Sequence, residues 1–246
     1  MKRFLAAIRF LTIVPIPGTW GTSEDDLMGS VPFYPVVGLL LGCIAALAAW
    51  ALGHGCPPLL QTGLLVILLL CFSGGFHMDG LSDTADGFLS SRPRERILEI
   101  MKDSHVGAMG VITIAGAMLI KFAAIASLPH EHTWQALLLM PLAGRCAIVI
   151  NMALLKPARP GGLGALMSKR RHRASAIWSV AVLLGAGWYV LHLPGLIAGL
   201  SVVAASLLFA AWSHRKIGGS TGDTFGAVCE VGEIIPAIVL SMAWVS

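Results

Sequence analysis

Apolar and polar positions follow one another along this chain in long blocks rather than in short alternation. Apolar segments of helical length run from about Val31 to Leu52, Pro57 to Phe76, Val106 to Leu128, Trp134 to Leu155, Ala176 to Leu191, Pro194 to Trp212 and Phe225 to Val245. A bilayer is crossed by roughly 20 apolar residues in a helix, so each block is a candidate span. The connections Gly53-His54-Gly55-Cys56-Pro57, Pro129-His130-Glu131-His132 and His192-Leu193-Pro194 are short and rich in helix breakers, and they read as turns between antiparallel helices. Ahead of the first block, Lys2, Arg3 and Arg9 are interleaved with Phe4, Leu5, Ile8, Phe10 and Leu11, the pattern of an amphipathic helix lying in the membrane interface. The expected fold is therefore all-α: a polytopic bundle of about seven transmembrane helices plus the N-terminal interfacial helix, forming a single membrane domain over residues 1–246.

Composition removes the competing classes. The 246 residues are 56% hydrophobic and 12% charged, against about 25% charged in soluble domains, which excludes a water-soluble globule. From Leu27 to Met78, 52 residues pass without Asp, Glu, Lys or Arg. Low charge and the absence of heptads or a glycine period exclude disorder, coiled coil and collagen. The net charge of +4 is no argument for nucleic acid, because the basic residues serve to orient the chain. Fifteen of the 17 Lys and Arg fall on alternate connections: three before the first block, four from Arg92 to Lys102, six from Lys156 to Arg173, and two at Arg215 and Lys216. Basic loops stay in the cytoplasm, so the N-terminus is expected inside a bacterial inner membrane and the C-terminus outside. The other two, Lys121 and Arg145, lie within spans. The five cysteines include no C-x-x-C pair and read as small core hydrophobes. Arg9, Pro15 and Pro17 interrupt the N-terminal stretch, so no cleaved signal peptide is expected.

The acids are clustered. Asp79, Asp83 and Asp86 follow the second block in Gly74-Gly75-Phe76-His77-Met78-Asp79-Gly80-Leu81-Ser82-Asp83-Thr84-Ala85-Asp86-Gly87. Spacings of four and three place them within an arc of about 60° on one helix face. Three carboxylates so close repel one another unless a cation compensates. Oxygen ligands with no nearby Cys and one His favour Mg²⁺ or Mn²⁺ over zinc. The competing reading is a solvated acidic face, but Gly80, Gly87 and the small residues between them suit close approach of another backbone or a ligand.

A second group follows the turn Gly218-Gly219-Ser220-Thr221-Gly222, where Asp223, Glu230 and Glu233 share an arc of about 80°. Carboxylates inside a span are functional candidates. The turn, through Gly219, Thr221 and Gly222, could offer backbone N–H groups to a phosphate, or could be only a turn. A third group, Lys102-Asp103-Ser104-His105, precedes the third block; Lys102 and His105 could meet a phosphate, or Lys102 could anchor at the interface while Asp103 or Ser104 caps the helix.

Gly75 to Gly87, Met101 to Gly110 and Gly218 to Glu233 together closely resemble the cobalamin synthase family, the adenosylcobinamide-GDP ribazoletransferases. Phe10 to Pro17, Phe33 to Gly42 and the loop Arg159 to Gly164 also fit, so the resemblance spans the chain. It implies an inner-membrane, Mg²⁺-dependent enzyme that joins adenosylcobinamide-GDP to α-ribazole or its 5′-phosphate and releases GMP; the sequence leaves open the oligomeric state, with a homo-oligomer or an association with other enzymes of the pathway as candidate assemblies. His105 stands where many members carry Arg, which puts a permanent charge there in doubt.

On this reading Asp79, Asp83 and Asp86, with Asp223, Glu230 and Glu233, supply ligands for one or two Mg²⁺. A metal held by carboxylates can neutralise a pyrophosphate and align its attacker. Asp86 is the candidate general base, Lys102, Asp103, Ser104, His105 and the Gly219 to Gly222 turn handle phosphate, and His77 supports the ligands. Two other classes fit parts of the pattern. A CDP-alcohol phosphotransferase has a similar acidic helix, but Thr84-Ala85-Asp86 lacks the Arg of its motif. A cation-coupled transporter would account for charges within spans but not for acids gathered at helix ends.

Overall fold

The computed structural model describes residues 1–167 and 172–243. Lys169, Arg170 and Arg171 of the basic loop, and the expected end of the last span at Val245, lie outside the described residues. The described chain is helical, without strands. Its helices are α1 (Lys2–Leu11), α2 (Glu24–Met28), α3 (Tyr34–Leu52), α4 (Pro58–Phe72), α5 (Phe76–Phe88), α6 (Arg94–Ile100), α7 (Ala108–Ala126), α8 (Thr133–Leu154), α9 (Gly162–Met167), α10 (Arg173–Ile217) and α11 (Gly222–Ala243).

Helix α8 is the axis of the bundle, and every residue from Leu139 to Met152 is buried. A membrane offers no hydrophobic driving force between helices, so close backbone approach through small residues takes its place. A Cβ at Gly38 of α3 would stand 2.8 Å from the Leu142 Cα of α8, and one at Gly144 of α8 would stand 2.8 Å from the Cys229 carbonyl of α11.

Helix α10 runs 45 residues, but Leu191 and His192 leave helical geometry, His192 with φ 47° and ψ −124°. Its two halves fold against each other there: Ser179 from the first and Ser206 from the second both receive bonds from α8, through Cys146 Sγ at 3.4 Å and Asn151 Nδ2 at 3.2 Å. A straight helix would separate Ser179 and Ser206 by about 40 Å. Gly187 and Gly195 meet backbone to backbone across the bend.

By length and hydropathy five described helices qualify as spans, or six when α4 and α5 count as one bent span. The expected number of seven is thus not matched by that measure. Two features account for the difference. The two expected spans from Ala176 to Trp212 form the single bent α10, and α4 has only 15 residues. The apolar run expected to continue to Phe76 breaks at Gly74 and Gly75, with φ of 61° and 82°. Beyond them α5 turns 86° from α4. It lies across the end of the bundle, from the first turns of α11, where Gly226 approaches His77, to the start of α7, where Asp86 meets Gly107.

Candidate active site

The three aspartates of α5 do share one face. Between His77 and Phe88 they are the only residues that are not buried. Gly80, next to Asp79, lets α5 touch α11: a Cβ there would stand 2.7 Å from the Asp223 carbonyl oxygen. Asp79 and Asp223 thereby line one cavity of about 220 Å³, with Phe76, Gly80, Arg159 and Gly222. Partial burial, and then the neighbouring Asp79, Asp223 and Asp86 carboxylates, push Asp83 up to about 7.

Asp86 is engaged differently. Its Oδ2 accepts from Gly107 N and its Oδ1 from Gly110 N, both at 2.8 Å. It therefore caps α7 from another helix, the task expected of Asp103 or Ser104. Both oxygens of Asp86, the expected general base, are thus taken up by backbone amides at the start of α7. Gly107 and Gly110 lack the Cβ that would collide with this carboxylate.

The turn before α11 is tied in both directions. Ser220 N donates to the Lys156 carbonyl and Ala158 N to the Ser220 carbonyl, each at 2.8 Å, and Gly219 packs on the Lys156 carbonyl. Thr221 and Thr224 cap α11 reciprocally, and Thr221 Oγ1 donates to Asp223 Oδ2 at 3.1 Å. Ser220, Thr221 and Gly222 line a second cavity of about 20 Å³ with Arg159, Gly161, Gly162 and Ala165. Arg94 holds this corner together by donating to the carbonyls of Ile217 and Ala158.

Other expected members lie elsewhere. Glu230 and Glu233 are not brought to the aspartates. They sit about 10 and 15 Å further along α11 than Asp223, and their carboxylates are paired with the two cations of the spans. Lys121 Nζ meets Glu230 Oε2 at 2.7 Å and Glu233 Oε1 at 2.8 Å, and Arg145 Nη1 meets Glu233 Oε2 at 2.7 Å. All four are buried, and their formal charges cancel. His77 is on the buried side of α5, opposite the aspartates, with Nδ1 3.5 Å from Cys229 Sγ. Lys102, Asp103, Ser104 and His105 form an exposed loop and line neither cavity. Asp103 instead accepts from the ring and backbone of His105, at 2.6 and 3.1 Å, which holds its carboxyl below the usual value.

Arg159 and Arg94 are the residues sequence reasoning passed over as individuals. Arg159 stood only within a loop of resemblance, where no periodicity marks its direction. Another cavity, about 850 Å³, opens between α3, α8 and the first half of α10. Its lining of residues such as Leu39, Leu138, Val182 and Val190 offers apolar contact and none of this chemistry.

Among the described residues no three His, Cys, Asp or Glu side chains are grouped so as to hold a metal ion. The donor set at the end of α5 is nonetheless suited to a hard divalent cation, since Asp79, Asp83 and Asp223 are oxygen donors whose mutual repulsion a cation would relieve.

Fold and site define a polytopic helical membrane protein with an acidic site, edged by one arginine, at one end of its bundle. The chain belongs to the cobalamin-5-phosphate synthase family of cobalamin biosynthesis, whose sequence profile matches residues 3–241. Its relatives include proteins named adenosylcobinamide-GDP ribazoletransferase. That of Geotalea daltonii is 36% identical, over 98% of this chain and 97% of its own. That of Roseiflexus sp. is 37% identical over 96% and 88%, and that of Brevibacillus brevis 39% identical over 99% of each. No solved structure matches the chain.

Proposed function

We propose that this protein joins adenosylcobinamide-GDP to α-ribazole or α-ribazole 5′-phosphate at the cavity between α5 and α11. The observation that carries the reading is that Asp79 of α5 and Asp223 of α11 line one cavity together with Arg159 at one bundle end. In this reaction a ribose hydroxyl oxygen attacks the phosphorus that bears adenosylcobinamide. The new P–O bond forms, the bond to the GMP phosphate breaks, and GMP leaves with the electron pair. The hydroxyl proton passes to a carboxylate, for which Asp79 and Asp83 are more available than Asp86.

Asp79, Asp83 and Asp223 are the residues that would hold Mg²⁺, which when bound supplies positive charge against the pyrophosphate oxygens. Asp86 fixes the start of α7 and so the position of α5. Glu230 and Glu233, neutralised by Lys121 and Arg145, act in this reading as a buried lock between α7, α8 and α11. Because those four charges satisfy one another, they also supply no motive for a transported cation.

The basic connections support a cytoplasmic site in a bacterial inner membrane. Arg94 from one bonds the end of α10 and the loop after α8, and Arg159 from that loop reaches the cavity. Incubating purified protein with adenosylcobinamide-GDP, α-ribazole and Mg²⁺ tests the activity. GMP release that requires all three is expected, and its absence beside an active relative would overturn the proposal.

A further inference from the structure

The structure assigns to Arg159 the binding of the substrate's pyrophosphate, a deepening that rests on the reading above. A metal-binding acidic cavity still needs a group that recognises the phosphate itself, and the sequence candidates Lys102 and His105 do not reach it. Arg159 does. It is the basic residue that lines the 220 Å³ cavity, and with Gly222 it also lines the smaller one beside Ser220 and Thr221. The larger cavity has room for a phosphate, whereas 20 Å³ holds little more than a water.

Its existing partners leave it available. Nη1 donates to the Leu98 carbonyl at a long 3.3 Å, and Nη2 stands 3.8 Å from Asp223 Oδ2, an ion pair without a hydrogen bond. A guanidinium carries five N–H donors in a planar fork suited to phosphate oxygens. The side chain remains 27% exposed, so a ligand can reach it. Were Arg159 only a counter-charge for Asp223, a closer, bonded pair would be the favoured geometry. The loose pair instead places a cation directly across from the aspartates, where an anion with a metal on its other side would be held from both directions.

Steady-state kinetics of the full-length protein test this. For Arg159→Gln the KM for adenosylcobinamide-GDP should rise about 10- to 100-fold, the worth of a charged hydrogen bond or two. The KM for α-ribazole should stay within about twofold, and inhibition by added GMP should weaken in step with the first value. Arg159→Lys, which keeps the charge and loses the fork, should fall between, and it decides the matter if the glutamine variant does not survive purification.

A purely structural role would lower turnover for both substrates alike, so unchanged KM for adenosylcobinamide-GDP and unchanged GMP inhibition would overturn the assignment. Equilibrium binding of GDP with Mg²⁺ to detergent-solubilised protein separates this inference from the proposed activity. Wild-type binding lost in Arg159→Gln supports the inference even if no GMP is ever released. Equal binding by both, or none by either, overturns it.

Discussion

Gly80 lies against the backbone of Asp223, and this approach sets α5 on the first turn of α11. A Cβ at Gly80 would stand 2.7 Å from the Asp223 carbonyl oxygen and 3.2 Å from its Cα. Both are backbone atoms, so a whole helix rather than a side chain must yield. Gly80→Ala should therefore separate Asp79 from Asp223, costing about 1–3 kcal/mol of stability by overpacking and lowering turnover about 10²-fold through misplacement. Thermal unfolding in detergent and GMP release measure the two effects. Wild-type values for both would show that α5 and α11 are not in contact.

Asp83 and Asp86 are three residues apart on the same face, yet they should respond differently to the same change. Asp86→Asn turns an amide N–H₂ toward the amides of Gly107 and Gly110, and should destabilise the protein by about 1–2 kcal/mol. Asp83→Asn removes a crowded carboxylate. It should leave the unfolding midpoint at or above that of the parent, reduce turnover by about 10² or more, and shift the Mg²⁺ midpoint upward. Thermal melts and a Mg²⁺ titration of GMP release compare them. A stable Asp86→Asn, or an Asp83→Asn with unchanged metal dependence, would reverse the roles of the two aspartates.

The face shared by Asp79, Asp83 and Asp86 is legible in the sequence because spacings of four and three return to one side of a 3.6-residue period. The pairing of acids between helices is not, since period fixes a face but not what stands opposite. Asp223, Glu230 and Glu233 share an arc of α11, yet only Asp223 faces the aspartates. Two cations and two anions inside spans were the available sign that Lys121 and Arg145 would take the glutamates. Arg159 lies in a loop, where position comes from tertiary contacts such as that with Leu98. The reversal of α10 is marked by His192 and Pro194, while the break after α4 has only Gly74 and Gly75 to announce it within an otherwise apolar run.

Orientation is open to direct measurement. In a cysteine-free background, a single cysteine replacing exposed Glu131 should react with an impermeant thiol reagent added to intact cells. One replacing Glu95, on the connection that carries Arg92, Arg94 and Arg96, should react only after the membrane is opened. Labelling of the Glu95 position from outside would place the aspartates on the outer face and remove their access to a cytoplasmic nucleotide.

The buried group Lys121, Arg145, Glu230 and Glu233 yields a prediction in which two changes are less harmful than one. Lys121→Met leaves two carboxylates facing a single guanidinium in the interior, and loss of one partner of a buried pair costs about 3–5 kcal/mol. Adding Glu230→Gln restores neutrality, because one cation and one anion have then been removed and Arg145 still meets Glu233. The double variant should recover most of the stability lost by Lys121→Met alone, as read from thermal unfolding, and with it most of the GMP release. A ligand role for Glu230 predicts the reverse for activity, since an amide brings no charge to a cation, so that the double variant would be stable but as inactive as Asp79→Asn. Recovery of stability and turnover together would assign Glu230 to the fold, and recovery of stability alone would return it to the metal site.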